Sequence, residues 1–468
     1  MEENNMKKIS RRSFLKIAAV AGAAGALTAC GSSSTAASTA ASSTASSAAS
    51  AAPAGKTDGT MNIYCWNDEF KSRVEAYYPK YDKDAQTIGD IKVNWIQNPS
   101  DGNAYQIALD EALSNPTDDT KVDMFLCEAD YAQKYTIDGV AMDVTKLVSA
   151  DDMKDQYKYT QEVVTSDGVM RGISWQACPG VMFYRRDIAK EVFGTDDAEE
   201  IQAQVADWDK FTAAAKTLKD SGYTILPGYD DTYRCFSNNT SKPWVDGTKI
   251  QVDDQITAWV KQTEDFKEKG YNNPYALWAA EWGQEAQKKS FCFFGPAWFL
   301  NFCLVGYTEK TAEADGGKAE VGNGTWGQWA ACAGPAAYNW GGTWICAHEG
   351  TEYTDTIADI MKTLCCDSAT MEQLAVDTLD FPNNKTAVND LATTDKGNMD
   401  FLGGQNVYPS MADSAEKIAM DKLTIYDQGL NESFQSAYHD YFNGTVDEAT
   451  AAANFLKSAQ EKYPELEG

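Results

Sequence analysis

Between residues 61 and 128, short apolar runs take turns with amphipathic stretches, and this alternation narrows the possible folds more than any other feature. MNIYCW (61–66), IKVNWI (91–96) and VDMFLC (122–127) read as buried strands. Stretches 70–81 and 105–113 read as helices, the second with Ile107, Leu109 and Leu113 spaced to form an apolar face. Strand, helix, strand, helix, strand predicts a parallel sheet with helices packed on it. Ligands of such sheets sit beyond the carboxyl ends of the strands. Trp66, Asn67 and Asp68 follow the first strand, and Glu128 and Asp130 the third.

A second unit opens near Gly168, with strands expected over 169–175 and 180–185. Helices follow over 187–193, ending at Gly194, and from Asp207 to about Leu218. A strand is expected over 223–226, then a helix that Asp253 caps and Gly270 ends, burying Ile256, Trp259, Val260 and Phe266. Further strands are expected over 290–294, 326–332 and 343–347, then helices over 354–365, 370–378, 410–426 and 433–442. A last helix starts at Val446, where Thr445 and Glu448 have the spacing of a capping box.

The amino terminus has the layout of an export signal. Lys7, Lys8, Arg11, Arg12 and Lys16 precede about a dozen small apolar residues, too few to span a bilayer. Arg11-Arg12 before Phe14 and Leu15 resembles a twin-arginine signal. Leu27-Thr28-Ala29-Cys30 resembles a lipobox, which makes Cys30 the lipidated first residue of the mature protein. Residues 31 to about 55 are almost all Ser, Ala and Thr, a tether of ~25–30 Å r.m.s. span. The expected location is the outer face of the cytoplasmic membrane, with the body held there by lipid.

Composition excludes several functions. The leader carries five cations and two acids, so its removal takes the net charge from −29 to −32. Such a surface does not suit nucleic acid. With 43% hydrophobic and 12% aromatic residues, the chain can bury a large core under that charge. After Cys30 ten cysteines remain, mostly in apolar runs and without C-x-x-C spacing, and there are only two histidines. Free buried thiols are expected over a disulfide framework, with no metal site and no cofactor. Nucleophile-elbow, P-loop, H-E-x-x-H and Rossmann motifs are missing, so an enzyme is not expected.

Several segments in order resemble the extracellular solute-binding proteins of bacterial ABC importers, in the carbohydrate-binding group that includes maltose-binding protein. They are DGVMRGISWQACPGVMFYRRDIAKEVFG (167–194), ADWDKFTAAAKTL (206–218), KKSFCFFGPAWF (288–299), GGTWICAH (341–348) and SAYHDYFNGTVDEATAAA (436–453). The family's G-x-A-A-M is degraded here to Ser290-Phe291-Cys292. The resemblance implies an α/β, two-lobed, type II periplasmic-binding-protein-like fold with a hinge and an interlobe cleft. Lobe one would hold about 60–170 plus 345–405, and lobe two about 171–344 plus 406–468. It also implies a monomer that delivers a small-molecule ligand, a carbohydrate, to transmembrane permease subunits.

Sugars present apolar C–H faces edged by hydroxyls, so a site for them needs aromatic platforms beside carboxylates and amides. On that ground the expected ligand contacts are Trp66, Asn67, Asp68, Glu128 and Asp130 at strand ends, and Trp175 and Gln176 at the first crossover. Tyr229 and Asp230 in a lobe-two loop, Trp282, and Trp344 after Gly341-Gly342 complete that set. Trp298 joins them because it matches the family's G-P-W tryptophan, which stacks on sugar in several members. Each has a plain alternative as a core tryptophan or a helix-capping acid. IYCWNDEF and CEAD also resemble polyamine-binding proteins, where Trp and acids grip a diamine. A surface-anchored glycoside hydrolase is the other alternative.

Overall fold

The computed structural model describes residues 55–308 and 321–468. The leader, the lipobox Cys30 and the Ser/Ala/Thr tether lie outside the described residues. Among the described residues, no helix is long and apolar enough to cross a membrane.

The alternating amino-terminal run forms the centre of a seven-stranded sheet. Asp58–Cys65 pairs in parallel with Asp90–Gln97 on one side and Met124–Glu128 on the other. A short hairpin, Tyr81–Asp82 and Thr87–Ile88, extends the first edge. Thr343–Ala347 returns antiparallel beside Met124–Glu128, and Ile173–Ser174 closes the far edge. A second sheet holds Val181–Arg185 between Cys292–Gly295 and Trp329–Cys332, antiparallel to both. All five residues of Val181–Arg185 are buried, as a strand covered on both faces requires. The result is a mixed α/β, two-lobed fold.

Three segments run between the sheets side by side. Pro179 bridges Asn339 and Gln176 bridges Pro382, so the crossovers near 176–180, 338–342 and 380–383 form one hinge. Asn383, fully buried, ties it: its Nδ2 donates to Ser174 O at 3.1 Å, and its Oδ1 accepts from Tyr157 N at 3.0 Å. At Gly180 a Cβ would come within 2.0 Å of the Tyr338 ring, so only glycine lets these crossovers touch.

Local chemistry explains where the elements depart from expectation. The first helix, Glu69–Tyr77, stops short because Tyr78 precedes Pro79 and is extended, φ −104° and ψ 97°. In Ala104–Ser114 the buried face is Tyr105, Leu109 and Ala112, while Ile107 is 45% exposed. The 169–175 run splits: Val169–Met170 pairs with Thr165–Ser166, and only Ile173–Ser174 joins the large sheet. The 410–426 helix ends at Ala415. A separate helix, Asp427–Phe442, follows, and in the turn before it the Asp427 Oδ1 accepts from Thr424 N at 2.7 Å. The last helix, Glu448–Lys462, is capped by Asp447 in place of Thr445, its Oδ1 accepting from Thr450 N at 2.8 Å. The helix Asp254–Lys269 has the expected cap, Asp253, and the expected left-handed Gly270 at its end. All ten described cysteines are free, eight of them buried.

Candidate functional site

A cavity of about 540 Å³ lies where the carboxyl ends of the parallel strands meet the second lobe. Trp66 enters it directly after the first strand, edge-on to Tyr105 at 5.4 Å and to Tyr131 at 6.4 Å. Glu128 closes the strand Met124–Glu128, and its Oε2 turns back to accept from Asp130 N at 2.9 Å. These residues form the wall from lobe one.

The opposite wall is also aromatic. Trp298 follows Gly295-Pro296 and donates through Nε1 to Trp340 O at 2.8 Å. The two indoles meet edge to face at 5.2 Å, and Trp278 leans on Trp340 at 5.6 Å. Gly341, φ 73°, passes so close under Trp298 that a Cβ would lie 3.0 Å from its Nε1. Trp278 is 51% exposed and takes a left-handed φ of 69°, which costs a bulky residue about 1–2 kcal/mol. Phe302, 65% exposed, projects from a π-helical turn, Leu300–Leu304, in an otherwise α-helical segment. Both exposed rings line the cavity.

Acids and amides fill the space between the walls. Arg234, from the lobe-two helix Tyr233–Ser237, grips Asp130 of lobe one with both terminal nitrogens, at 2.5 and 2.6 Å. Burial pushes the Glu128 carboxyl up to about 8, Asp130 adding to the shift and Arg234 opposing it. Burial also pushes Glu69 up to about 7, with Asp380 adding and Arg73 opposing. Gln176 Nε2 bridges that second pair, 3.2 Å from Glu69 Oε1 and 2.9 Å from Asp380 Oδ2. Burial thus shifts both carboxyls toward the protonated form, which donates as well as accepts.

Six of the sequence-selected residues line this cavity: Trp66, Asn67, Glu128, Asp130, Gln176 and Trp298. Six do not. Asp68 is exposed at the helix start, and its neighbour Glu69 lines the cavity instead. Trp175 is buried and stacked on Phe70 at 5.5 Å. Trp344 is a core residue of its strand, donating to Thr160 O at 2.8 Å. Tyr229 packs on Phe442 at 5.3 Å, and Asp230 bonds His439 Nε2 at 2.7 Å and Leu277 N at 2.9 Å. Trp282 is buried and donates to the Asp231 carboxylate at 3.2 Å.

Trp278, Trp340, Tyr105, Tyr131, Phe302 and Arg234 line the cavity without having been singled out in the sequence. Trp278 stands four residues before Trp282 and Trp340 four before Trp344, so the signal lay in the right stretches on the wrong indoles. Among the described residues no His, Cys, Asp and Glu cluster could hold a metal.

The family model described as bacterial extracellular solute-binding protein matches residues 76–400, and that of the twin-arginine translocation signal sequence matches 8–28. No curated protein matches the chain. Among solved structures, an extracellular solute-binding protein of family 1 is similar at TM-score 0.69 and 16% identity, over 86% of this chain and 99% of that one. An ABC transporter associated binding protein from B. animalis subsp. lactis Bl-04, in complex with beta-1,6-galactobiose, is similar at TM-score 0.62 and 17% identity, over 87% and 99%. The galacto-N-biose/lacto-N-biose I-binding protein from Bifidobacterium longum, in complex with lacto-N-biose, gives 0.62 and 15%, over 88% and 97%.

Proposed function

Because the chain belongs to the bacterial extracellular solute-binding proteins, we propose that it captures a carbohydrate between its lobes and delivers it to the transmembrane subunits of an ABC importer. One observation carries the choice of ligand: both walls of the cavity are aromatic, and the two most exposed rings in it, Trp278 and Phe302, are left uncovered by the protein. An uncovered ring opposite another aromatic wall suits the apolar face of a sugar, and Glu69, Glu128, Gln176 and Asn67 suit its hydroxyl edge. The sugars named for the structural neighbours support the same class.

In this reading the protein acts as a monomer without catalytic chemistry. Two lobes move about the hinge at 176–180, 338–342 and 380–383, so the boundaries fall at these crossovers in place of the expected 170/171, 344/345 and 405/406. The twin-arginine leader takes it out of the cytoplasm, and Cys30 carries the lipid that holds it at the outer face of the cytoplasmic membrane.

A second reading, a polyamine or other cationic solute, is favoured by a specific observation. The cavity holds Glu69, Glu128 and Asp130 against one cation, Arg234, already tied to Asp130. Thermal-shift screening of residues 56–468 against sugars, polyamines and amino acids separates the readings. A ligand at 100 times its Kd stabilises by ~2.7 kcal/mol. Stabilisation by sugars, insensitive to salt between low and moderate ionic strength, is expected. Stabilisation by diamines alone, lost steeply with salt, overturns the carbohydrate reading.

A further inference from the structure

Residues 276–279 form a four-residue turn, closed by Ala279 N donating to Ala276 O at 3.2 Å. Trp278 takes its third position with a φ of 69°, and a turn with positive φ only there reserves that place for glycine or asparagine. A tryptophan keeps such a conformation only where its surroundings over-determine it. Neighbouring rings supply part of the hold, Trp282 and Trp340 each lying 5.6 Å away. The indole is nonetheless exposed in the cavity it lines, so ring packing does not enclose it.

The backbone of the turn is gripped by the loop 228–232. Tyr229 N donates to Tyr275 O at 3.0 Å, and Asp230 Oδ2 accepts from Leu277 N at 2.9 Å, directly before Trp278. Gly228 permits this approach, since a Cβ there would lie 2.4 Å from Tyr275 O. Asp230 is itself fixed: its side chain is 3% exposed, and its Oδ1 accepts from His439 Nε2 at 2.7 Å. His439 belongs to the tail helix Asp427–Phe442, so two segments distant in the chain meet behind one aromatic residue. Neither Asp230 nor His439 lines the cavity.

We infer that Asp230 is a positioning residue for ligand capture: its carboxyl group holds the strained turn that presents the Trp278 indole to the cavity, and His439 holds Asp230. The inference rests on the carbohydrate reading only in taking Trp278 as a ring on which a sugar stacks. Asp230 does not meet the sugar and acts through the Leu277 amide. Without that carboxyl group Leu277 N loses its acceptor, the turn is free to leave its left-handed conformation, and the indole moves with it.

Fluorine NMR of the full chain labelled with fluorotryptophan tests the placement without any ligand. The chain has 13 tryptophans, and the signal missing from Trp278→Phe is that of Trp278. Asp230→Ala should shift or split this signal and leave that of Trp344, in the large sheet, in place. Asp230→Asn keeps an acceptor for Leu277 N and should restore it. Where Asp230→Ala does not fold, His439→Ala decides: it frees one side of the carboxyl group from a partly exposed position and should broaden the same signal. A Trp278 signal that these variants leave unmoved overturns the inference.

Calorimetry with disaccharides of glucose and of galactose gives the functional half. Asp230→Ala should weaken sugar binding about tenfold in the wild-type background, and by less than about twofold beside Trp278→Ala, because two residues acting through one contact are not additive. Equal losses in both backgrounds overturn the inference and mean that Asp230 acts on the fold at large. Failure of every sugar to bind, with the Trp278 signal moved by Asp230→Ala, overturns the carbohydrate reading and upholds the positioning of Trp278.

Discussion

Trp278 and Trp282 stand four residues apart, touch edge to face at 5.6 Å, and have opposite fates. Trp282 is buried and saturated through Asp231, whereas Trp278 gives up backbone comfort to present its indole to the cavity. Truncation should separate the two. Trp278→Ala and Trp298→Ala should each weaken sugar binding by about 1–3 kcal/mol in calorimetry, with little change in melting temperature for Trp278→Ala. Trp282→Ala should instead destabilise the fold by about 3–5 kcal/mol in denaturant unfolding. Glu128 gives a second test at this scale. Its folded value of about 8 lies above the ordinary 4.5, so between those values the folded protein binds more protons than the unfolded chain. Its contribution to stability therefore falls as pH rises through that window. Glu128→Gln carries no charge to bury. Its melting temperature should match wild type near pH 5 and exceed it by on the order of a few degrees near pH 9. A constant offset across pH would mean that Glu128 is ionised in the fold.

Helices bounded by a cap and a glycine were the most legible elements, as in Asp253 to Gly270, because local hydrogen bonds fix both ends. The 410–426 stretch misled because its apolar spacing continues past Ala415, while the backbone there is claimed by other partners. Glu162 takes Met420 N at 2.8 Å, and Asp427 takes Thr424 N at 2.7 Å. Trp344 misled for a related reason: its strand is buried on both faces, so alternation carries no sign of which side meets the cleft. The strand ends were readable, and Trp66, Glu128 and Asp130 reached the cavity because parallel topology sends those ends to one place. The lobe-two wall has no such rule, since Trp278 and Phe302 owe their exposure to a left-handed residue and a π turn. The hinge makes an element-scale test. Gly180→Ala would drive a Cβ into the Tyr338 ring, and overpacking of this kind costs about 1–3 kcal/mol. Unfolding titrations should show that loss; full stability would mean that the crossovers are free to separate.

Across the whole molecule, two lobes meet over a cleft, and the polar contacts that join them include three made by side chains. Asp130 pairs with Arg234, Gln428 Nε2 lies 3.5 Å from Asn103 Oδ1, and Asn301 donates to Thr378 O. Of these only the Asp130–Arg234 contact joins full charges, and both side chains are partly exposed, at 30% and 25%. A pair so placed is weakened by salt, because its Coulomb attraction is screened within a Debye length of about 8–10 Å at physiological strength. Under the proposed function, a sugar stacked between both aromatic walls would add a bridge that salt does not screen. The two forces predict different scattering behaviour. Without ligand, the radius of gyration should grow as salt rises from low to near-molar, as the pair loosens and the hinge opens. With saturating sugar the radius should be smaller at every salt concentration and nearly constant. Asp130→Asn should reproduce the high-salt, ligand-free radius already at low salt. If that variant stays compact, packing at the crossovers holds the lobes and the ion pair is incidental to closure. If sugar leaves the wild-type radius unchanged at high salt, the lobes do not close on their ligand.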